Sequence, residues 1–199
     1  MAIKIGIIAE DISDIQVITE ILSKYLKSNS FSTKHFVGKG CGKLKNKCRA
    51  WVDNLIKQGC EHIFIFHDLD RNNEDKLRKD ISEKISTLNF KNSLIVIPIE
   101  ELEAWLLSDI DAIRKVFSIT NVIKQPSNAE GVKSPKEHIE RLVRQAANKI
   151  YINTIHNKKI ASHTPLEQLK KCSSYLPLHN YIFGNVSKKH FIDSLLLQK

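Results

Sequence analysis

Two aspartates one residue apart follow the most apolar segment of the chain. In FIFHDLDRNN, residues 64–73, the apolar run stops before His67, and Asp68 and Asp70 come just after it. Side chains two positions apart in an extended segment point the same way, so this pair could bind one divalent cation. Arg71 is the basic residue of the segment and could contact a bound phosphate. A polar turn explains DLDRNN equally well.

Acidic residues also follow two other predicted strands. After IKIGIIA come Glu10, Asp11 and Asp14, and after SLIVIPI come Glu100, Glu101 and Glu103. Because the carboxyl ends of parallel strands share one edge of a sheet, we expect the three groups to meet there. Crowded carboxylates repel one another unless they take up protons or hold a cation. Their oxygens suit Mg²⁺ or Mn²⁺, and two such ions could assist a phosphodiester displacement.

Each acidic group also has a purely structural interpretation. Asp11 and Asp14 fit a capping-box-like helix start, which is the better explanation of that pair taken alone. The three glutamates could simply compensate the dipole at the start of a helix in EAWLL. His67 is better explained as a packed side chain than as a catalytic one. The coincidence of three acidic groups at one sheet edge is what favours a metal site.

One predicted strand end is basic instead of acidic. The segment VGKGCGKLKNK, residues 37–47, lacks the spacing of a P-loop. Its glycines would let the backbone approach a phosphate, and Lys39 and Lys43 could neutralise an oxyanion. A solvated turn is an equally good interpretation.

The elements that must position these side chains alternate along the first half of the chain. The hydrophobic periodicity predicts strands over 3–9, 31–37, 62–68 and 93–99, with helices over 12–29, 43–59 and 73–88. This alternation predicts an α/β fold with a mostly parallel four-stranded sheet between helices. Beyond residue 100 the pattern is mainly helical, with a long polar connection over 118–135. We therefore predict a catalytic domain over 1–109 and a basic helical extension over 110–199.

The net charge of +9 lies entirely in the second of these parts. Residues 1–109 contain 16 basic and 16 acidic residues, whereas residues 110–199 contain 15 and 6. A basic region of this kind attracts polyanions, of which nucleic acid is the usual one. A solvated surface rich in lysine has the same composition.

The cysteines and the apolar segments bear on the compartment. Cysteines at positions 41, 48, 60 and 172 form no CxxC pair, and their spacing disfavours a zinc site that would include His67. The apolar run in the opening segment MAIKIGIIAEDI is too short for a signal peptide or a membrane span, and acidic residues end it early. We predict reduced thiols, a cytoplasmic location and no association with a membrane.

Four segments together resemble the TOPRIM superfamily. They are AEDISD (9–14), DLD (68–70), IPIEELEAWLL (97–107) and SPKEHIERL (134–142), and they look most like small standalone bacterial TOPRIM-like proteins related to OLD-type nucleases. The resemblance covers roughly residues 3–110 and implies a TOPRIM-like, Rossmann-like fold. It implies that Glu10 is a general acid/base or metal ligand, that Asp68 and Asp70 hold Mg²⁺, and that Asp14 and Glu103 complete the cluster.

The activity that the resemblance implies is metal-dependent cleavage of DNA or RNA. No tyrosine can be assigned as a strand-passage nucleophile, which leaves hydrolysis. The resemblance also implies a partner ATPase and a role as an effector in phage defence or a toxin-like system. One position departs from the pattern: Asp11 stands where the family has a glycine, which would allow a close backbone approach or a positive φ.

Two other classes of function compete with a nuclease. One is a non-catalytic nucleic-acid-binding or regulatory module whose carboxylates hold a structural ion. The other is a small phosphotransfer enzyme that acts on nucleotides, which should depend little on the basic half of the chain.

Overall fold

The computed structural model describes residues 2–38 and 41–196. Its sheet consists of β1 (Ile3–Ala9), β2 (Phe31–Val37), β3 (His62–Phe66) and β4 (Ser93–Val96). The strands are all parallel and lie in the order β2-β1-β3-β4. The predicted α/β class and parallel four-stranded sheet are therefore confirmed. The predicted strands over 62–68 and 93–99 end earlier than expected, at Phe66 and Val96.

Three helices connect the strands, and local sequence fixes their ends. They are α1 (Ile12–Ser23), α2 (Cys41–Lys57) and α3 (Glu74–Ser86). The side chain of Asn73 caps α3 by accepting a hydrogen bond from the backbone of Lys76. Gly59 follows α2 with a φ of 79°, a left-handed conformation that glycine adopts without steric cost.

The second half of the described chain is helical, as predicted. Its helices are α4 (Glu103–Leu107), α5 (Ile110–Phe117), α6 (Pro135–Ala147), α7 (Asn153–His163), α8 (Leu166–Leu169), α9 (Leu176–Asn185) and α10 (Asp193–Leu196). The sequence patterns did not predict α7 and α9. Over residues 2–38 and 41–196, no helix is both long enough and apolar enough to cross a bilayer.

Alternate side chains of the sheet enter two apolar cores. Ile63 and Ile65 pack with α2 and α3 on one face, whereas Ile5 and Phe64 pack with α1 and the helices of the second half. Trp105 of α4 is fully buried in this second core. The core thus continues across residue 109, where we predicted the two parts to divide.

Replacing Gly6 by alanine should lower the free energy of unfolding by about 1–3 kcal/mol. A Cβ atom on Gly6 would lie 2.9 Å from Cδ1 of Leu55 and 3.2 Å from Cγ1 of Ile63, both in the fully buried core. Urea unfolding followed by circular dichroism measures the change. Gly184→Ala is the matched control, because nothing lies within 4 Å of a Cβ atom at that position. Equal stability of Gly6→Ala and wild type would contradict this packing.

Candidate functional site

An acidic cleft lies at the point where the strand order reverses. The chain passes from β1 to β2 on one side and then crosses to β3 on the other side of β1. In open parallel sheets, ligands bind outside the carboxyl ends of the strands at such a switch point. The cleft has a volume of about 290 Å³ and is lined by Glu10, Asp11, Ser13, Asp14, Asp68, Asp70, Glu101, Glu103, Lys136 and Asn153. All five carboxylates predicted to hold metal line it.

Asp11 and Asp14 close the start of α1 reciprocally. The Asp11 carboxylate accepts a hydrogen bond from the backbone of Ser13 at 2.8 Å, and Asp14 accepts one from the backbone of Asp11 at 3.0 Å. The capping-box interpretation of this pair is therefore confirmed. Asp14 is nevertheless buried inside the cleft. Its second oxygen lies 3.5 Å from the hydroxyl of Ser13.

Two carboxylates attach the start of α4 and the helical half to the sheet edge. Asp68 accepts a hydrogen bond from the backbone of Leu102 at 3.1 Å. Glu103 is buried and accepts one from the amide of Asn157, a residue of α7, at 2.9 Å. The hydroxyl of Tyr151 donates in turn to the amide oxygen of Asn157. Both carboxylates are thus held in fixed orientations toward the cleft.

Glu10 is beside a buried histidine. The Nδ1 atom of His67 lies 2.8 Å from the carbonyl oxygen of Asp68 and 3.0 Å from Oε1 of Glu10. Burial lowers the pKa of His67 and favours the neutral ring, whose Nδ1 donates to the carbonyl when it carries the single proton. Within the described chain, Oε1 of Glu10 is then a buried oxygen without a hydrogen-bond donor. Such an oxygen is suited to a cation.

The carboxylates of the acidic cleft raise one another's pKa values. Burial, with Asp70 close by, raises the pKa of Glu10 to about 7. Burial and the neighbouring charge of Glu103 raise the pKa of Asp14 to about 8. The pKa of Asp68 is raised well above its ordinary value by burial and by the surrounding carboxylates. The cleft therefore holds either protons or a cation at neutral pH.

Two further glutamates hold α6 instead of capping α4. Glu101 accepts a hydrogen bond from the backbone of Lys136 at 2.9 Å, and Glu100 accepts one from the backbone of Ser134 at 3.4 Å. The dipole interpretation fits Glu103, which lies in the first turn of α4, whereas Glu100 and Glu101 precede that helix and contact another one. Glu100 has a φ of 60° and Asp70 a φ of 44°, both in the left-handed region. Strained backbone of this kind concentrates at binding sites.

The basic residues predicted to contact phosphate have different outcomes. Arg71 lies outside the lining of the acidic cleft, is largely exposed and pairs with Glu100 at 3.6 Å. Lys39 and the side chain of Lys43 lie outside the described residues. Lys45, in the first turns of α2, is near enough for its charge to act on Glu10 and His67. Lys136 at the start of α6 lines the cleft itself.

Comparison with known proteins identifies the family. Residues 9–182 match the sequence profile of DUF4276, which is described as a domain of unknown function. The chain belongs to the DUF4276 family. The matched range includes every residue that lines the acidic cleft. No curated protein and no solved structure matches the chain. The family description names no activity, so the function of this DUF4276 protein must be inferred from its site.

The arrangement of the acidic cleft suits a hard divalent cation that keeps part of its water shell. No three Asp, Glu, His or Cys side chains within 2–38 and 41–196 converge as a preformed set of metal ligands. Mg²⁺ commonly uses only one or two carboxylates and fills its other positions with water and phosphate oxygens. The unpartnered oxygen of Glu10 and the crowded carboxylates beside it supply such donors. The residues present therefore fit Mg²⁺ or Mn²⁺.

Sequence patterns missed the contribution of α7 to this DUF4276 site. Asn153 lines the acidic cleft and donates to the hydroxyl of Ser13 at 3.2 Å, and Asn157 orients Glu103. The segment NTIHNKKIASH has almost no apolar stripe, so its helical periodicity is weak. Two asparagines four residues apart, on one face of a helix, are the signal that a search for polar spacing could have used.

Asp14→Asn should stabilise the protein increasingly as the pH rises from 4 to 8. The pKa of Asp14 is about 8 in the folded protein, whereas the ordinary pKa of an aspartate, which applies in the unfolded chain, is 3.8. The folded state therefore binds more protons in this interval, and wild-type stability falls with rising pH. The variant has no such proton, so its advantage in the free energy of unfolding should reach at least about 1 kcal/mol at pH 8.

Urea unfolding in EDTA at several pH values measures that difference. Asp75→Asn, at an exposed position of α3, is the matched control and should show no comparable trend. An advantage of Asp14→Asn that stays constant between pH 4 and pH 8 would contradict the raised pKa.

Proposed function

We propose that this DUF4276 protein is a metal-dependent nuclease that hydrolyses phosphodiester bonds of DNA or RNA. The observation that carries the proposal is the acidic cleft at the switch point of the sheet, with seven carboxylates from segments that follow three strands around one space. Carboxylates buried against one another are costly unless they serve to hold a cation. The basic second half of the chain supports a polyanionic substrate.

The proposed ligands for Mg²⁺ or Mn²⁺ are the carboxylates of the cleft. Asp68 and Asp70 follow β3 and Glu10 follows β1, and an ion that keeps most of its water shell would be held by one or two of them, while Asp14 and Glu103 would serve the same ion or a second one. A bound ion would supply positive charge to the phosphoryl oxygens in the transition state. The backbone and amide donors on Asp68 and Glu103 keep these side chains aimed at the cleft.

Glu10 is suited to proton transfer in the hydrolysis. Without an ion the pKa of Glu10 is about 7, and a bound cation would favour its charged form, so the carboxylate would accept a proton from the attacking water. The water oxygen forms a bond to phosphorus, the bond to the leaving sugar oxygen breaks, and that oxygen takes a proton from solvent. His67 beside Glu10 stays neutral and limits the positions that the carboxylate can adopt.

The cations at the rim favour a phosphate at this site. Lys45 and Lys136 come from two different helices and lie close to the carboxylates. Their ammonium groups would pair with non-bridging phosphate oxygens, which the acidic cleft alone would repel. The charge of Lys45 also acts on Glu10, so substrate and general base would share one electrostatic environment.

The TOPRIM resemblance supports the same proposal. Asp11 has a φ of −127°, an extended conformation that needs no glycine, so this chain accommodates an aspartate there without backbone strain. A partner ATPase and a role in phage defence or a toxin-like system belong to the proposal through that resemblance. Cys48, Cys60 and Cys172 are buried free thiols, which supports a cytoplasmic location.

Glu10→Gln and Asp68→Asn should each reduce cleavage at least about 100-fold, the scale of losing a general base or a metal ligand. The assay incubates purified protein and Mg²⁺ or Mn²⁺ with supercoiled plasmid, single-stranded DNA and tRNA. Glu83→Gln is the control, because this glutamate is exposed on α3 and lies outside the acidic cleft.

A metal-binding measurement accompanies the cleavage assay. Mn²⁺ should raise the melting temperature of wild type and of Glu83→Gln but not that of Asp68→Asn. Metal binding without cleavage of any substrate would favour the non-catalytic module with a structural ion. If the wild-type protein neither binds metal nor cleaves any of these substrates, the proposal of a nuclease is wrong.

Asn157→Ala should weaken Mn²⁺ binding about 10–100-fold, as removing a partner behind a metal ligand commonly does. The substitution deletes the amide that donates to Glu103, so the carboxylate would lose its fixed orientation. Tyr151→Phe is the matched control, because it deletes only the hydrogen bond behind Asn157 and leaves the Glu103 contact in place. Titration calorimetry measures both, and equal affinities of Asn157→Ala and wild type would show that Asn157 has no positioning role.

A further inference from the structure

A second cleft lies along α6 and shares no residue with the acidic cleft. It has a volume of about 510 Å³, within the range of small-ligand sites. We call it the α6 cleft, and its lining combines cations, amides and an apolar floor. The residues are Asn121, Val122, Ile123, Lys124, His138, Arg141, Leu142, Gln145 and Ala146.

The two cations of the α6 cleft are available to an anion. Lys124 and Arg141 are exposed, and neither forms an ion pair with any carboxylate in the described part of the chain. Partial burial and the nearby Arg141 lower the pKa of His138, so this ring is a neutral hydrogen-bonding group at neutral pH. The cleft therefore presents positive charge without compensation from within its lining.

The α6 cleft and the acidic cleft are both lined by residues of α6. Lys136 lines the acidic cleft, and α6 is fixed there by its backbone contact to Glu101. His138 and Gln145 lie two and nine residues further along the helix. With about 3.6 residues per turn and about 1.5 Å of rise per residue, the α6 residues of this cleft lie about 3 to 15 Å further along the axis and on the other flank of the helix from Lys136. A chain-like anion with one phosphate at the carboxylates would have to pass around α6 to reach it.

The apolar lining favours a single strand over a duplex. Val122 is 92% exposed, so it covers no other part of this chain and is free to contact a base. In a duplex the bases are paired and stacked inside the helix, so an apolar side chain at the protein surface does not meet their faces. Single strands are bound by cations along the backbone together with side chains that contact the bases.

We propose that the α6 cleft binds a single-stranded segment of nucleic acid on one side of the bond that is cut. This inference rests on the proposed nuclease function and makes its substrate more specific. The substrate is then a polymer several nucleotides long with an unpaired segment at the cut. Lys124 and Arg141 contact its phosphates, whereas a mononucleotide reaches only the acidic cleft.

The test is binding of a fluorescein-labelled 20-nucleotide single strand in EDTA, followed by anisotropy at several salt concentrations. Lys124→Glu combined with Arg141→Glu should weaken binding at least 10-fold and reduce the slope of log K against log salt by about 1.4, for two phosphate contacts at about 0.7 each. Lys124→Gln with Arg141→Gln provides a milder pair that keeps the fold if the reversals do not.

The matched control is Lys188→Glu combined with Lys189→Glu, which changes the net charge by the same amount. These exposed lysines precede His190 and Phe191, which contact residues 26–30 before β2, so they lie at the opposite edge of the sheet. The control should weaken binding less than 3-fold. An equal loss in both pairs, or no loss in either, would overturn the α6 cleft. The proposal would also be overturned if duplex DNA or polyglutamate competed with the labelled strand as well as an unlabelled single strand does.

The outcomes separate this inference from the proposed function. In one outcome, the wild-type protein cleaves nothing and binds no metal while Lys124→Glu with Arg141→Glu still weakens strand binding selectively. The nuclease proposal would then be wrong, and the α6 cleft would remain a binding site. If Lys124→Glu with Arg141→Glu binds and cleaves single strands as wild type does, the α6 cleft is not the binding site and the nuclease proposal is unaffected.

Discussion

The repulsion between carboxylates at the switch point is the constraint around which this structure is organised. Asp14 and Glu103 are almost fully buried, and Glu10 and Asp68 are partly buried beside them. Each buried charge without a partner would destabilise the fold by several kcal/mol, about the whole margin of stability of a domain. The fold offsets this by assigning donors to individual oxygens: backbone N–H groups to Asp14 and Asp68, and an amide to Glu103. The remaining oxygens are free for protons or a cation.

The helical half of the chain is part of this arrangement and not an appendage to it. Asn153 of α7 and Lys136 of α6 line the acidic cleft, and Asn157 of α7 contacts Glu103 from behind it. In return, Glu101 fixes the start of α6. A buried carboxylate further from the cleft adds rigidity, since Glu130 accepts hydrogen bonds from the backbone and hydroxyl groups of residues 173 and 174. Sheet and helices therefore determine the geometry of the site together.

The strand ends were predictable because they depend on local sequence. Runs of isoleucine and phenylalanine define the strands, and Glu10 and Asp68 follow them directly, so parallel pairing alone brings these two together. What could not be predicted depends on contacts between distant segments. Asn157 and Glu103, which contact each other, are 54 residues apart in the sequence, and Glu101 and Lys136 are 35 residues apart. In α7 the residues that pack or bind include a buried asparagine, whereas Ile155 is 49% exposed, so hydrophobic periodicity gave no guide there.

The separation of acidic and basic surfaces bears on how a nuclease of this design would discriminate substrates. The acidic cleft repels a phosphate until a cation occupies it, so the carboxylates alone contribute little to the affinity for nucleic acid. Affinity would come from cations, among them Lys136 in the lining of the acidic cleft and Arg141 on α6 outside it. Binding would then depend on salt, whereas turnover would depend on metal and on pH, because protons compete with the ion for Glu10 near neutrality. A nuclease organised in this way would hold a strand without cutting it, and metal occupancy of the carboxylates would decide whether cleavage follows.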